Sequence, residues 1–463
     1  MFSKAAMSPL RDRLLAPVDI APLAYFRIVF GITMMVEVFR FFSKGWIKSY
    51  YIKPDFFFSY YGFDWVKPWP GDWMYLHFAL LGVLGALIAA GLLYRIAAPL
   101  FWLGITYVFL LDQTNYLNHM YMVCLLAFLL IWMPGSAAFS VDTRLGLVRP
   151  RETAPAWMLW LVRAQVGLVY FFGGIAKLDA DWLSGKPGAM FLSSWELTAP
   201  LAETEWTARL FALGGTSFDL LVFPALLWRR SRPWAVAAAV AFHLTNSQLF
   251  RIGIFPWLMM AALPLFFEPQ TVRQWLERLL PGRTPQGGAE VAESQRWQRA
   301  GLAFFGIWLT IQCLVPLRHW LYPGEVNWTE QGHNFSWHMK LRNKSGEARL
   351  EAYDPGSGKR WKVDLDRILS RRQYTKMTTR PDMILQLAHL IARRNERHGR
   401  PGVQIYADVK VSLNGRPPQP MVDPKVNLAA QERSVGNAEW ILPLSGEAVV
   451  FEPSPEVADT QDP

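Results

Sequence analysis

Three polar clusters lie in or beside long apolar stretches, where a polar side chain is costly unless it has a partner or a function. Lys177 follows the apolar run VYFFGGIA, Asn118 and His119 lie in LNHMYMVCLLAF, and His243 begins the polar part of FHLTNSQLF. A desolvated lysine can accept a proton near neutral pH, and imidazole or amide groups can donate to a developing oxyanion. These residue types predict proton transfer on an apolar substrate that arrives from a bilayer.

Each cluster also has a structural interpretation. Lys177 could extend to the membrane surface, or it could pair with Asp179 or Asp181. His119 could be a buried structural group, and helix capping could explain the polar residues that follow His243, although not His243 itself. The clusters fall on the same predicted membrane face, and this coincidence favours a shared site.

The composition predicts a membrane protein. The chain has 463 residues, of which 52% are hydrophobic and 18% are charged, and its mean hydropathy is +0.13. Much of the net charge of +10 lies in short loops, where it sets membrane orientation, and we expect no nucleic-acid partner. Cys124 and Cys313 lie in separate apolar runs without metal-ligand spacing, so we expect no metal.

The apolar runs predict an α-helical polytopic membrane protein of about nine spans with a C-terminal extramembrane β-rich α+β domain. The predicted spans are 19–42, 72–93, 95–111, 117–133, 156–177, 207–228, 233–249, 252–267 and 300–317. The predicted domains are a multi-span domain over 1–318 with a cytoplasmic linker near 268–299, an outer domain over 319–450 and a disordered tail over 451–463.

The outer domain shows the patterns of a small sheet with one helix. Alternating and β-branched residues predict strands, and PDMILQLAHLIARRNER predicts an amphipathic helix over 381–397. The predicted strands are 346–352, 360–365, 403–412 and 447–451. Lys and Arg are more frequent in alternate loops, which predicts a cytoplasmic N-terminus and an outer domain outside the membrane.

Several ordered stretches carry a resemblance to a known family. They are DWMYLHFALLGVLGAL with LLYRI, YVFLLDQTNYLNHMYMVCLLAF with FSVDTRL, VYFFGGIAKLDADW, FHLTNSQLFRIGIF with ALPLFF, NWTEQGHNFSWHMK and DPKVNLAAQ. Over roughly 18–445 the chain resembles the vitamin K-dependent γ-glutamyl carboxylase family, as a compact bacterial-type homologue with an HTTM-type membrane domain. The resemblance implies a multi-pass protein of the bacterial inner membrane.

The resemblance implies a specific reaction. Vitamin K hydroquinone loses a proton and reacts with O2 to form a strongly basic alkoxide, which removes a γ-proton from a glutamate-containing protein or peptide. CO2 then captures the carbanion, so the products are γ-carboxyglutamate and vitamin K epoxide. Membrane lipid and quinone are the other implied partners, no metal is needed, and in a bacterium menaquinol could replace vitamin K.

The resemblance also implies the site residues. They are Lys177, His119 and Asn118 as catalytic residues, with Lys177 as the base; His243, Phe255 and Met339 as quinol-binding residues; and Trp328, His333 and Trp337 as substrate-binding residues.

Two alternatives remain open at this stage. The stretch GHNFSW and the KLRNKSGEA that follows it differ from the vertebrate relatives around the glutamate site, so a quinol epoxidase that carboxylates no peptide is one alternative. The other is a non-enzymatic membrane protein, a quinone or lipid carrier or a peptide receptor, in which the polar clusters are gates or structural pairs.

Overall fold

The structure is a computed structural model that describes residues 4–196, 198–250, 252–280 and 295–446. Over these residues the chain forms a helical bundle followed by a small domain built on a β-sheet. The α-helices are α1 (Lys4–Leu15), α2 (Ala21–Ser43), α3 (Trp73–Ala90), α4 (Tyr94–Leu110), α5 (Asn118–Trp132), α6 (Val141–Arg144), α7 (Ala156–Ala176), α8 (Ala180–Leu183), α9 (Lys186–Leu192), α10 (Glu205–Leu227), α11 (Arg232–Leu249), α12 (Phe255–Ala262), α13 (Pro269–Leu279), α14 (Gln295–Leu317), α15 (Val326–Thr329), α16 (Arg371–Met377) and α17 (Pro381–Arg397). The strands are β1 (Pro17–Asp19), β2 (Thr153–Pro155), β3 (Lys344–Tyr353), β4 (Arg360–Lys362), β5 (Gln404–Leu413) and β6 (Gln419–Pro420).

Each predicted span coincides with a helix, but the count of nine membrane crossings is not confirmed. Among the described residues, five helices are long and apolar enough to cross a membrane, namely α2, α3, α7, α10 and the helix that includes α14. Helices α4, α5 and α12 with its 3-10 continuation are shorter apolar helices. About 20 residues are needed to cross the hydrocarbon core, and these three helices fall short of that length.

Glycines allow the helices of the bundle to approach closely. A methyl group on Gly31 of α2 would lie 2.5 Å from the carbonyl oxygen of Gly85 in α3. A methyl group on Gly167 of α7 would lie 2.3 Å from the ring of Phe223 in α10. Lipid provides no hydrophobic driving force for helices to associate, and small residues at such crossings allow the close van der Waals packing that holds the helices together instead.

One end of the bundle is fixed by side chains that bind backbone groups. Asp142 accepts hydrogen bonds from the amides of Leu93 and Tyr94, at 2.8 and 3.1 Å, where α4 begins. Arg27, fully buried in α2, donates to the carbonyl oxygen of Phe139 at 2.7 Å. The stretches LLYRI and FSVDTRL are therefore partners in the fold.

The C-terminal domain is a four-stranded antiparallel sheet of order β4-β3-β5-β6 with helices beside it. Burial alternates along β5, and α17 buries its apolar side in the same core. The predictions for the first three strands and for the helix over 381–397 are confirmed. The predicted strand over 447–451 and the tail over 451–463 lie outside the described residues. In the predicted linker, α13 is a short amphipathic helix, residues 281–294 are not described, and α14 already begins at Gln295.

The C-terminal domain docks on the end of the bundle opposite to Asp142. Asp181, just after α7, receives two hydrogen bonds from the guanidinium group of Arg416, at 2.5 and 2.7 Å, and one from Asn414 at 2.8 Å. Phe58, in the loop between α2 and α3, is fully buried in the core of the C-terminal domain. This docking covers the ends of the helices that carry the predicted site residues.

Candidate functional site

Lys177 directly follows α7 and forms a buried ion pair. Its ammonium nitrogen lies 2.5 Å from Oδ2 of Asp219 in α10, and the two side chains are 8% and 5% exposed. The nitrogen also lies 3.4 Å from the carbonyl oxygen of Gly173 and 5.6 Å from the centroid of the Trp182 ring. The pair places a buried ammonium and a buried carboxylate at the end of the bundle that the C-terminal domain covers.

The two aspartates considered as partners from the sequence point elsewhere. Asp179 caps α8 by accepting from the amide of Trp182, and Asp181 binds Arg416. The interpretation in which Lys177 pairs with either of them is therefore wrong, because Asp219 of a different helix occupies that place.

Met339 of the C-terminal segment approaches the ion pair. A methyl group on Gly173 would lie 3.3 Å both from Cε of Met339 and from Oδ2 of Asp219. Because Gly173 has no side chain, Met339 and the carboxylate of Asp219 can both approach α7 at this position. The structure brings together Lys177 and Met339, which the sequence assigned to one site.

His243, Phe255 and His119 form a second group. Nε2 of His243 lies 2.6 Å from the hydroxyl oxygen of Tyr170, and its Nδ1 is buried without a hydrogen-bond partner among the described residues. The Phe255 ring centroid lies 6.2 Å from that of His119 and 6.1 Å from that of His243. Phe255 is therefore an apolar surface between two imidazole groups.

Tyr170 connects the two groups. It lies in α7 two turns before Lys177, and its ring makes an edge contact at 5.8 Å with Phe218, the residue before Asp219. Tyr170 thus links His243 of α11 to the α7–α10 pair that carries Lys177 and Asp219.

Asn118 starts α5, and hydrogen bonds engage both ends of its side-chain amide. Its Nδ2 donates to the carbonyl oxygen of His338 at 3.1 Å, and its Oδ1 accepts from the hydroxyl of Tyr116 at 2.8 Å. Asn118 therefore joins α5 to the C-terminal segment, and one N–H of the amide remains to donate to a ligand.

The segment that contains Trp337 inserts into the bundle. Trp337 is fully buried, belongs to the core of the bundle and lies 5.1 Å from the ring of Tyr121 in α5. Its indole nitrogen is buried and has no hydrogen-bond partner in the part of the chain that the structure describes. Phe335 and Trp337 both have positive φ angles, 66° and 60°, in the region that non-glycine residues rarely adopt. Such strain persists where the surrounding contacts enforce it, commonly at binding sites.

Trp328 and His333 lie in the C-terminal segment and contact residues other than the ion pair. Trp328 is fully buried in the domain core and donates to the carbonyl oxygen of Leu442 at 2.8 Å. The His333 ring lies 5.3 Å from that of His338, and burial lowers the pKa of His338 to about 3. No hydrogen bond or ring contact between these side chains and Lys177 or Met339 is present in the described part of the chain.

A group of basic residues surrounds His333. Burial opposes ionisation of Glu330, yet Arg342 and Lys344, at 2.6 and 3.0 Å, hold the pKa of that carboxyl well below its ordinary value. Burial and the nearby Arg380 lower the pKa of Lys376 to about 7. In the described part of the chain no carboxylate pairs with Lys376, so this group has positive charge in excess.

The described residues contain no group of three or more His, Cys, Asp or Glu side chains that could hold a metal ion. Cys124 is buried and Cys313 is half-buried, and both are free.

Sequence reasoning missed Asp219 and Tyr170. Asp219 is the one acidic residue within the apolar run ALGGTSFDLLVFPALLW, and that signal could have identified it. Tyr170 carried no such signal, because a tyrosine in a membrane helix is ordinary and only the fold shows its contact with His243.

The fold and the site define a multi-pass membrane protein in which a sheet-containing domain covers buried polar groups at one end of a helical bundle. Residues 15–271 match the HTTM domain family, and residues 297–447 match the family described as vitamin K-dependent gamma-carboxylase, lumenal domain. The chain belongs to the vitamin K-dependent gamma-carboxylase family, and these domains indicate a carboxylase-like function. No solved structure matches it.

Proposed function

We propose that the protein oxidises vitamin K hydroquinone with O2 and uses the base so produced to carboxylate a glutamate side chain with CO2. The balance is one hydroquinone, one O2, one CO2 and one glutamate giving one epoxide, one water and one γ-carboxyglutamate. The observation that carries the proposal is the buried Lys177–Asp219 pair beside Met339, under a domain that matches the gamma-carboxylase lumenal family.

In this proposal Lys177 removes the hydroquinone proton. An ammonium group cannot accept a proton, so the pair must react from the form in which the proton lies on Asp219 and the lysine is a neutral amine. Removal from water disfavours two separate charges and brings that neutral form within reach. Asp219 therefore sets how much of Lys177 can act as a base.

His119, His243 and Phe255 would bind the quinol. The ring of Phe255 offers an apolar face, and the two imidazole groups on either side of it can donate to the quinol oxygens. Asn118 has one N–H available for the same purpose and holds α5 against the backbone of His338. Menaquinol, with a related ring, is the alternative cosubstrate.

The basic group around His333 supports a carboxylate substrate. Glu330 offsets at most one of the positive charges of Arg342 and Lys344, and Lys376 adds to the positive charge that remains, so the group can attract a glutamate carboxylate. Trp328, in the core of the C-terminal domain, and Trp337, in the core of the bundle, would border the region that binds the glutamate. We also propose that the N-terminus is cytoplasmic, that the C-terminal domain is outside, and that no metal takes part.

The test uses the full chain in nanodiscs with vitamin K hydroquinone, O2, labelled bicarbonate and a glutamate peptide. Wild type should form epoxide and fix label together, and Lys177→Ala should lose both products. Lys67→Ala, at an exposed lysine on a loop of the bundle, is the control that should keep both.

Three other outcomes contradict the proposal in different ways. Full epoxidation by Lys177→Ala would exclude Lys177 as the base. Epoxide without fixed label would identify a quinol epoxidase. Vitamin K binding by wild type without either product would favour a carrier or receptor.

A further inference from the structure

Arg40 lies near the end of α2, within a helix long and apolar enough to cross a membrane. One terminal nitrogen of its guanidinium group donates to Oε2 of Glu37 at 2.5 Å. No other hydrogen bond from Arg40 to the described part of the chain is present. A charged group in such a helix is costly, so an arginine with free donors here calls for a ligand or a function.

The guanidinium group of Arg40 and the imidazole of His119 both approach the space beside Gly253. A methyl group on Gly253 would lie 3.1 and 3.5 Å from the two terminal nitrogens of Arg40 and 3.6 Å from Nε2 of His119. Gly253 has a φ of +60°, so its backbone also favours glycine. The space beside Gly253 therefore holds donors from α2 and α5, next to Phe255.

We propose that Arg40 is a second hydrogen-bond donor to the quinol oxygen that His119 contacts, and that Gly253 keeps open the space that this oxygen occupies. The proposal rests on the function proposed above and adds a residue to the quinol site. A guanidinium group does not lose its proton near neutral pH, so its charge would stabilise the quinol anion as the proton leaves.

Glu37 would have a positioning role. It binds Nη1 of Arg40, the terminal nitrogen that lies 3.1 Å from the methyl position on Gly253, and leaves Nη2, at 3.5 Å from that position, available to donate. The Trp46 ring, with its centroid 5.3 Å from the guanidinium carbon, adds a second contact that holds the group in place. A planar group with fixed contacts is better suited to this role than a flexible ammonium group.

The test compares Arg40→Lys and the double variant Glu37→Gln/Arg40→Gln with wild type in nanodiscs. The double variant removes both charges together, so it leaves no unpaired carboxylate that could prevent folding. We expect kcat/KM for epoxidation to fall roughly 100-fold in the double variant, as for loss of one oxyanion donor, and by less in Arg40→Lys. Gly253→Ala should raise KM for vitamin K hydroquinone.

The control is Arg163→Gln. Arg163 lies in α7, and its guanidinium group binds the carbonyl oxygens of Leu265 and Phe267 rather than any predicted site residue. It should keep the wild-type kcat/KM per folded molecule.

Binding of oxidised vitamin K, followed by tryptophan fluorescence, is the second measurement. Weaker binding in the folded double variant supports the proposal, and unchanged binding with unchanged kcat/KM overturns it. If wild type forms no epoxide, the proposed function fails, and binding alone then decides whether Arg40 contacts the quinone.

Discussion

Asp219 changes the chemistry expected of a lysine base. A carboxylate at 2.5 Å favours the charged amine, and burial of both groups favours the neutral pair, so the reactivity of Lys177 depends on a balance between the two. If burial alone kept Lys177 neutral, the nearby carboxylate of Asp219 would oppose that effect, because it favours the ammonium form. In the proposed reaction, Asp219 would therefore affect how readily Lys177 accepts a proton.

Asp219→Asn should therefore retain activity and change its pH dependence. In the proposed reaction the neutral amine of Lys177 is the base, and loss of the carboxylate removes the charge that favours the ammonium form, so the acid limb of the kcat/KM profile for epoxidation should move to lower pH. The measurement is epoxide formation between pH 5.5 and 9. Asp72→Asn, at an exposed aspartate, is the matched control.

An unmoved acid limb in Asp219→Asn, with the same loss of rate at every pH, would show that Asp219 only supports the fold. An upward shift would contradict the proposed role of Lys177 itself.

At the residue scale, the sequence identifies the polar residues that are unusual in apolar runs but does not identify the side chains that they contact. Lys177, His119 and His243 stand out because polar groups in apolar runs are rare. The pairing of Lys177 with Asp219 joins α7 to α10, and nothing in the sequence near Lys177 indicates it. Asp179 and Asp181 were attractive partners because they are close in sequence, but a cap and a domain contact occupy them.

The α2–α3 crossing is a close contact between two helices that leaves no room for a methyl group at Gly31. Gly31 faces the backbone of α3, which cannot move aside as a side chain would. Gly31→Ala should lower the free energy of unfolding by about 1–3 kcal/mol, as expected for overpacking. Thermal unfolding in detergent measures this.

Gly214→Ala in α10 is the control for that prediction. A methyl group there would meet no atom within 4 Å, so this variant should be at least as stable as wild type. Equal effects of the two substitutions would show that close packing at Gly31 is unimportant.

The loop between α4 and α5 should make stability depend on pH. Burial raises the pKa of Asp112 from 3.8 to about 6, although the carboxylate accepts hydrogen bonds from the amides of Thr114 and Phe58. Between these two pKa values the folded protein binds more protons than the unfolded chain. Stability should therefore fall as pH rises from about 4 to about 6, by no more than about 1.4 kcal/mol per pH unit, and level off above that window.

Asp112→Asn tests this, because the amide oxygen can accept the same two hydrogen bonds and cannot ionise. Its thermal midpoint should vary less than that of wild type between pH 4.5 and 7. The exposed Asp55→Asn should follow wild type. A wild-type midpoint that rises across the window would contradict the assigned direction.

At the scale of elements the sequence predicts position better than membrane crossing. Each of the nine apolar runs coincides with a helix, because a run of apolar residues in lipid has few alternatives to a helix, whereas the short helices α6, α8 and α9 are not predicted by such runs. Length decides whether a helix crosses, and α4, α5 and α12 are short in this respect. The helix over 381–397 could be predicted to its ends, since a proline begins it and its apolar residues repeat with helical spacing.

The whole molecule depends on how the C-terminal domain is seated. Arg416 reaches Asp181 with two hydrogen bonds, and the segment with Phe335 and Trp337 enters the bundle beside Tyr121. The domain thereby supplies Met339 to the site, and the bundle supplies Lys177. No pattern in the sequence relates these distant segments, which is why resemblance was needed to place Met339 in the site.

Orientation in the membrane gives the last prediction. Arg230 lies in the turn between α10 and α11, and Lys67 lies in the loop between α2 and α3, next to Tyr107 near the end of α4. Both are exposed, and they lie at opposite ends of the bundle. The excess of arginine in turns such as 228–232 favours a cytoplasmic location for that end.

Single cysteines test this in a variant that has Cys124 and Cys313 replaced by alanine. A membrane-impermeant maleimide should label Lys67→Cys in intact cells with a permeabilised outer membrane, and should label Arg230→Cys only after the inner membrane is opened. Labelling of both from one side would contradict the alternation of the helices. The reverse pattern would place the C-terminal domain in the cytoplasm, and the glutamate substrate would then have to be a cytoplasmic protein.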